Sequence, residues 1–583
     1  MSDFTKKKDL PCFVGYAFIG AIAIWLMSSA TIIQIEPDDG LATIVNSKYL
    51  VGLTESHFFN QRGPVFALLL APAAWLSNAL NLAPLDMRLY HGTFAILTVL
   101  YLCIIWNQIQ ILFPDKGLTP LVTFTSSITT FVFFSYSPFI SHDIFPGLLL
   151  IWMLLLVHKY CEHPNFRTLS LLILIGAIAP LIKQTYALFW GTLIISRFIL
   201  TLTLPKERRR QQARLMGHLL LAACLSAIIT WIGYCLSLST SFENTSFLLR
   251  PIKQIQLVSG HYAGENLAEL FPWWIYPVNL HAYGILTMAL ILPGLYFSLS
   301  RGNQLQKHAA LLWLSSFIAI SSVAFREVRY LAFLAPVSAI VIYPVVRHIL
   351  GLKKIWVGVV IAILAVDLLR SMKEAGAVYS DFYENDFSRF FSLIGNQQFS
   401  GNVFLSPMAI ARIFPLYSPL IADRYHRVFN LNAVHLQGIF HKEINHYQSI
   451  PIAHQINLSI DNFKPGDIYI FANGFGVRRP PWSPGNQVNW SVHNHIQGVA
   501  LAKPITLTKE ENNYLVDNSV GDKNRMFLFM RTNQGTYERS PLSNTLAVQK
   551  AEKLYGLNHW PDKIETLALE IDIICSKYLC EHR

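Results

Sequence analysis

The 583-residue chain opens as a series of long apolar runs separated by short polar connections. Roughly 20 apolar residues in a helix cross a hydrocarbon core of about 30 Å, so each long run reads as a membrane span. The first covers residues 12–30. Further spans are predicted near 87–112, 119–138, 144–160, 168–183, 186–204, 214–238, 279–300, 308–324, 331–350 and 355–371, about eleven crossings in all. One shorter run, 65–82, starts at Gly63-Pro64 and ends before Pro84. It reads as a juxtamembrane helix on the outer surface, because counting it as a crossing inverts every later connection. After residue 371 the pattern changes to ordinary polarity. Short apolar runs at 402–405, 467–471 and 525–529 read as strands and 545–555 as a helix, which predicts a mixed α/β domain. The fold class expected is therefore an α-helical polytopic membrane domain, residues 1–371, followed by an extracytoplasmic domain, residues 372–583.

Composition agrees with lipid as the solvent. The chain is 53% hydrophobic and 14% charged, with mean hydropathy +0.38, more apolar than a soluble chain of this length can bury. The first run is too long for a signal peptide and lacks a small-residue cleavage site, so it reads as an anchor. A net charge of +11 would suit nucleic acid, but topology explains the placement of the basic residues better. Lys6, Lys7 and Lys8 precede the first span; Lys116, Lys159, Arg167, Arg208, Arg209, Arg210, Arg301, Lys307, Arg347, Lys353 and Lys354 fall in alternate connections. The positive-inside rule makes that side cytoplasmic. Five cysteines lie in or beside apolar runs without metal-ligand spacing. Cys575 and Cys580 could pair if the C-terminus is extracytoplasmic.

The other side collects a different set of charges. Glu36-Pro37-Asp38-Asp39-Gly40 follows the first span, Ser141-His142-Asp143 joins the third and fourth, Lys183 ends the fifth, and Arg326-Glu327-Val328-Arg329-Tyr330 joins the ninth and tenth. An ionised side chain at mid-bilayer costs about 2.5–3.5 kcal/mol on insertion scales, so charges gathered at span ends mark a polar site at the lipid boundary. Carboxylates there suit proton acceptance from an attacking hydroxyl or amine, and cations suit a departing phosphate. Each residue also has a plainer reading: Asp38 and Asp39 as a helix cap, Lys183 as a snorkelling lysine, Arg329 as a topology charge, His142 as an ordinary loop histidine. Trp273-Trp274 beside Tyr276 reads as an interfacial anchor. No phosphate-binding glycine loop or hydrolase motif is present in the sequence.

These segments, in this order, resemble the integral-membrane glycosyltransferases of the protein O-mannosyltransferase and lipid A aminoarabinose transferase type, which share the C-type fold. The resemblance rests on Pro37-Asp38-Asp39 with Ala42, Ile44 and Tyr49; on Gln61-Arg62-Gly63-Pro64 and the run Phe66 to Leu70; and on Met87-Arg88-Leu89. Ser135-Tyr136-Ser137 leading to Asp143, Ala179-Pro180-Leu181-Ile182-Lys183, and Arg329-Tyr330 with Pro336 complete it. It covers about residues 10–350. It departs from the common pattern at Asp39, where Glu is usual, and at Arg62-Gly63, where Lys-Pro is frequent. The resemblance implies Asp38 as general base with Asp39 as its alternative or partner, and Asp143 at the acceptor or beside a possible divalent metal. It implies Arg62, Lys183 and Arg329, with Tyr330 in the same motif, as substrate-binding residues at the carrier phosphate. The implied partners are a polyprenyl-phosphate sugar donor, a lipid, glycan or protein acceptor and membrane lipids, with no nucleic acid, at the periplasmic face of a bacterial inner membrane. A transporter or flippase, a non-catalytic assembly protein, and an O-antigen ligase or polymerase are the rival classes.

Overall fold

The structure, a computed structural model, describes residues 2–32, 38–54, 57, 59, 63–82, 86–113, 117–128, 130–239, 242, 244–261, 275–278, 284–322, 328–352 and 354–383. Beyond these it describes the six strands named below. Sixteen helices are described in the first part: α1 Ser2–Ile32, α2 Asp38–Leu50, α3 Pro64–Ala79, α4 Arg88–Leu112, α5 Thr119–Ile128, α6 Phe131–Tyr136, α7 Pro146–Glu162, α8 Phe166–Ile182, α9 Leu188–Leu202, α10 Lys206–Ser237, α11 Arg250–His261, α12 Ile275–Val278, α13 Ile285–Arg301, α14 Gln304–Ser321, α15 Ala335–Leu350 and α16 Lys354–Tyr383. Among the described residues six helical stretches are long and apolar enough to cross a membrane: Pro11–Thr31, Arg88–Leu112, Gln184–Leu202, Lys206–Ser237, Arg329–Leu350 and Ile355–Lys373. The helices Pro64–Ala79, Phe166–Ile182 and Ile285–Arg301 are apolar but shorter. Leu220, Leu221, Ile228, Ile232 and Leu236 of α10, Ile24 of α1 and Leu369 of α16 are exposed, a surface that only lipid solvates well. The protein is an integral membrane protein.

Antiparallel packing of α1 on α4 fixes how the intervening residues run. Tyr16 Oη donates to Asn107 Oδ1 at 2.7 Å and Cys12 Sγ to Gln110 Oε1 at 3.7 Å, so the start of α1 lies beside the end of α4. The end of α1 therefore lies toward the start of α4. The 13-residue α2 rises about 20 Å and the 16-residue α3 about 24 Å at 1.5 Å per residue, both shorter than a hydrocarbon core of about 30 Å. The predicted span 119–138 is divided in the structure: α5 ends at Ile128, and Thr130 Oγ1 caps α6 by accepting from Phe133 N at 3.1 Å. That local bond competes with continued helix and starts a new one.

One continuous apolar core runs through the bundle. Near the α3 end it is built on edge-to-face aromatic pairs, Phe66 with Phe145 at 5.3 Å and Phe94 with Phe145 at 5.2 Å. Both carboxylate oxygens of Asp367 on α16 accept from the first amides of α13, Ile285 N at 2.7 Å and Leu286 N at 2.9 Å. The carboxylate thus satisfies two of the orphan donors that every helix start presents.

In the C-terminal part, strands β1 Asn402–Leu405, β2 Arg427–Asn430, β3 Ile468–Ala472, β4 Ile496–Leu501, β5 Leu528–Arg531 and β6 Tyr537–Arg539 form one mixed sheet in the order β2-β1-β3-β4-β5-β6. Pairing is parallel for β1 with β2 and β3 and for β4 with β5, and antiparallel for β3 with β4 and β5 with β6. The expected strands at 402–405, 467–471 and 525–529 correspond to β1, β3 and β5, the last two displaced by one to three residues. The expected helix 545–555 lies outside the described residues, as do Cys575 and Cys580.

Candidate functional site

Three connections meet at the end of the bundle where α7, α9 and α15 begin and α8 ends. Asp143 lies in the turn that opens α7, its amide donating to Ser141 Oγ at 3.3 Å, and Pro146 then starts the helix at a position where a missing N–H costs nothing. Lys183 ends α8. Its backbone is extended, and a 3₁₀ turn, Gln184–Ala187, follows before α9. That turn sends Tyr186 back toward the same carboxylate as Lys183. Arg329 and Tyr330 lie in a second 3₁₀ segment, Val328–Leu334, which leads into α15.

Asp143 is the centre of this group. It is 1% exposed. Its Oδ1 accepts from Lys183 Nζ at 2.9 Å and from Tyr186 Oη at 2.6 Å, and Arg329 Nε stands 3.6 Å from Oδ2. The Lys183 ammonium also sits 4.1 Å from the centroid of the Tyr330 ring, and the Arg329 guanidinium carbon 5.4 Å from the same centroid. Burial pushes the Asp143 carboxyl pKa up, but the charges of Lys183 and Arg329 and the hydrogen bonds from Lys183 and Tyr186 outweigh it, holding the group at about 2. It is a permanent anion clamped between two cations.

Two glycines let the connections approach so closely. A Cβ on Gly147, in the first turn of α7, would lie 2.9 Å from the Phe333 carbonyl oxygen of the second 3₁₀ segment. A Cβ on Gly63 would overlap the carbonyl oxygen of Leu181, so the start of α3 rests directly on the last turn of α8, two residues before Lys183. A second polar contact joins α2 to the turn of Asp143. Thr43 Oγ1 and His142 Nε2 share a hydrogen bond of 2.9 Å, and the His142 ring packs edge-on against Phe66 of α3 at 4.9 Å.

Of the residues expected at the site, Asp143, Lys183, Arg329 and Tyr330 come together. Asp38 and Asp39 open α2, placing them in the first turn of a helix, where negative charge is favoured; their side chains, and Arg62, lie outside the described residues. The plainer reading of Lys183 as a snorkelling lysine does not fit a side chain 7% exposed and bonded to a buried carboxylate. Sequence reasoning missed Tyr186 as a site residue; the signal available was its position three residues after Lys183 in a connection between two apolar runs. His142, set aside as a loop histidine, is buried and bonded to a neighbouring segment.

The possible divalent metal finds a poor host at Asp143, whose carboxylate is shared among an ammonium, a phenol and a guanidinium. Among the described residues no three His, Cys, Asp or Glu side chains gather as a metal would require. What the cluster can do chemically is hold positive charge in a fixed, low-dielectric position. A unit charge pair at about 4 Å is worth about 4 kcal/mol at an effective dielectric near 20.

No protein-family model matches the sequence, and no curated protein matches it either. Solved structures do. The crystal structure of ArnT from Cupriavidus metallidurans bound to undecaprenyl phosphate superposes with a TM-score of 0.51 at 11% identity, covering 80% of this chain and 96% of ArnT. The apo form of the same protein gives 0.51 at 12% identity over the same shares. The Archaeoglobus fulgidus oligosaccharyltransferase, tethered with an acceptor peptide, lies further off: TM-score 0.41 at 12% identity, covering 70% of this chain and 63% of that one. At identities this low the likeness speaks for architecture, and over four fifths of its length the chain has the fold of the C-type integral-membrane glycosyltransferase ArnT.

Proposed function

We propose that this protein is a glycosyltransferase that moves a sugar from a polyprenyl-phosphate carrier to a lipid, glycan or protein acceptor at the periplasmic face of a bacterial inner membrane. The observation that carries the reading is the buried assembly of Lys183, Arg329, Tyr330 and Tyr186 around Asp143, next to the His142 that bonds Thr43 of α2. The fold it shares with ArnT, which has been crystallised with undecaprenyl phosphate, points the same way.

In this reading Asp38, with Asp39 as partner or alternative, accepts the proton of the acceptor hydroxyl or amine as its oxygen or nitrogen attacks the anomeric carbon. The bond between that carbon and the phosphate oxygen breaks, and polyprenyl phosphate departs carrying the electron pair. Lys183 and Arg329, with Arg62, stabilise its growing charge. Asp143 acts as the counter-ion that holds the two cations in place rather than as the base, since a carboxylate held near pH 2 by its partners is a weak proton acceptor. Tyr330 supplies the ring against which the ammonium rests. Residues 1–371, with about eleven crossings, would be the transferase domain, and residues 372–583, including the strands of the mixed sheet, a periplasmic domain.

Incubating the purified protein with radiolabelled polyprenyl-phosphate sugars tests the class. Labelled sugar should move to an acceptor or, without one, be slowly released to water. Absence of either reaction across the common carrier-linked sugars would refute the proposal.

A further inference from the structure

We propose that Thr43 and His142 form a latch that sets the position of α2, and so of its acidic first turn, relative to the cation cluster. His142 is thereby a positioning residue for the transfer reaction, a role that deepens the function proposed above. The two side chains belong to segments 99 residues apart in sequence and each is 1% exposed. Their 2.9 Å hydrogen bond is therefore fully desolvated, and a polar group left unpaired there costs far more than at a surface. On one side of the bond, Thr43 lies five residues into α2, about 7.5 Å along the axis from Asp38 at 1.5 Å per residue. On the other, the backbone carbonyl of His142 stands 3.4 Å from Tyr186 Oη, whose proton is donated to Asp143 next in the chain. Phe66 of α3 closes on the ring from the side. One histidine thus touches the helix that begins with the acidic pair, the helix that follows it, and the phenol that fixes the central carboxylate.

Acid–base transfer depends steeply on such spacing, because misplacing a reacting group by about 1 Å can cost roughly 100-fold in rate. The latch has little to do with holding the carrier phosphate, which falls to Lys183 and Arg329. Its loss should therefore appear in the rate of transfer and leave carrier affinity nearly unchanged.

Three variants test this: Thr43→Val, which keeps shape and removes the hydroxyl; Thr43→Ala, which removes it without adding bulk; and Thr43→Ser, which retains it. Two readouts are taken on the full-length protein, amide hydrogen exchange and steady-state transfer from a polyprenyl-phosphate sugar. The latch predicts that amides of residues 38–50 exchange roughly 5- to 10-fold faster in the Val and Ala variants while residues 64–79 are unaffected. It predicts a kcat roughly tenfold lower with KM for the carrier within about twofold, and recovery of both readouts in the Ser variant. Unchanged exchange in α2, a rise shared equally by α2 and α3, or equal impairment of Ser and Val would overturn it. A wild-type protein with no transfer activity would sink the proposed function while the exchange measurement still decides the latch.

Discussion

Replacing Asp143 by Asn removes one negative charge and little else, so its consequence is set by what surrounds it. Lys183 is 5% exposed and lies 2.9 Å from the carboxylate; Arg329 lies at 3.6 Å. After the substitution two cations remain beside a neutral amide, Lys183 buried and Arg329 only partly exposed. Breaking a buried pair by removing one partner typically costs about 3–5 kcal/mol, whereas replacing both partners with apolar groups of similar size is often near neutral. Asp143→Asn should therefore destabilise strongly, and Lys183→Met introduced into the same chain should restore much of the loss. A double-mutant cycle on thermal unfolding in detergent, at fixed lipid content, reads the difference as a coupling energy, expected at about 2–3 kcal/mol. Effects of the two single substitutions that simply add would refute the buried-pair account. The pH dependence follows from the same geometry. The folded-state carboxyl is depressed from 3.8 to about 2, so the stability it contributes is complete above the unfolded value and is lost as pH falls from about 4 through about 2. Between pH 5 and pH 9 the cluster should show no titration of Asp143; an Asp143-dependent change in unfolding temperature within that window would contradict the assignment.

Tyr186→Phe removes the 2.6 Å donor to the same carboxylate and should cost about 1.5–3 kcal/mol, the range for a hydrogen bond to a charged group; a wild-type unfolding temperature would show that the phenol is dispensable. Gly63→Ala places a methyl group into the Leu181 carbonyl and should destabilise by about 1–3 kcal/mol, as overpacking does; a neutral result in thermal unfolding would mean that α3 does not rest on α8 as described. For topology, a phosphatase reporter fused after Lys373 should be active and one fused after Arg210 inactive. The opposite pattern would mean that α3 crosses the bilayer.

Much of the architecture was legible because hydrophobic length is a strong signal in lipid. Most apolar runs became helices, but α1 and α10 begin about 10 and 8 residues before the expected spans and α16 ends about 12 residues after its own, because hydropathy marks the lipid-buried stretch and a helix can continue into polar sequence beyond it. The new helix start at Thr130 was not legible, since Thr130 reads as an ordinary span residue until its hydroxyl is seen to cap α6. The site was legible in kind: charged residues at span ends are costly enough to suggest a purpose. Their pairing was not, because Asp143, Lys183 and Arg329 lie 40 to 186 positions apart and nothing local couples them. Tyr186 and Thr43 were invisible for a further reason. A tyrosine or threonine beside an apolar run is unremarkable, and its importance comes from which buried atom its hydroxyl meets.

The acid–base account turns on Asp38. Asp38→Asn keeps size and removes basicity, and Asn serves at a helix start about as well as Asp, so folding and carrier binding should be preserved. The decisive measurement is the rate of polyprenyl-phosphate release from a labelled carrier-linked sugar by wild type, Asp38→Asn and Asp39→Asn, alongside carrier affinity. A general base at Asp38 predicts a loss of roughly 10²- to 10⁴-fold in that rate with affinity largely kept, and a smaller effect at Asp39. A dead Asp39→Asn beside an active Asp38→Asn would move the base to the neighbour; near-normal release by both variants would contradict the mechanism.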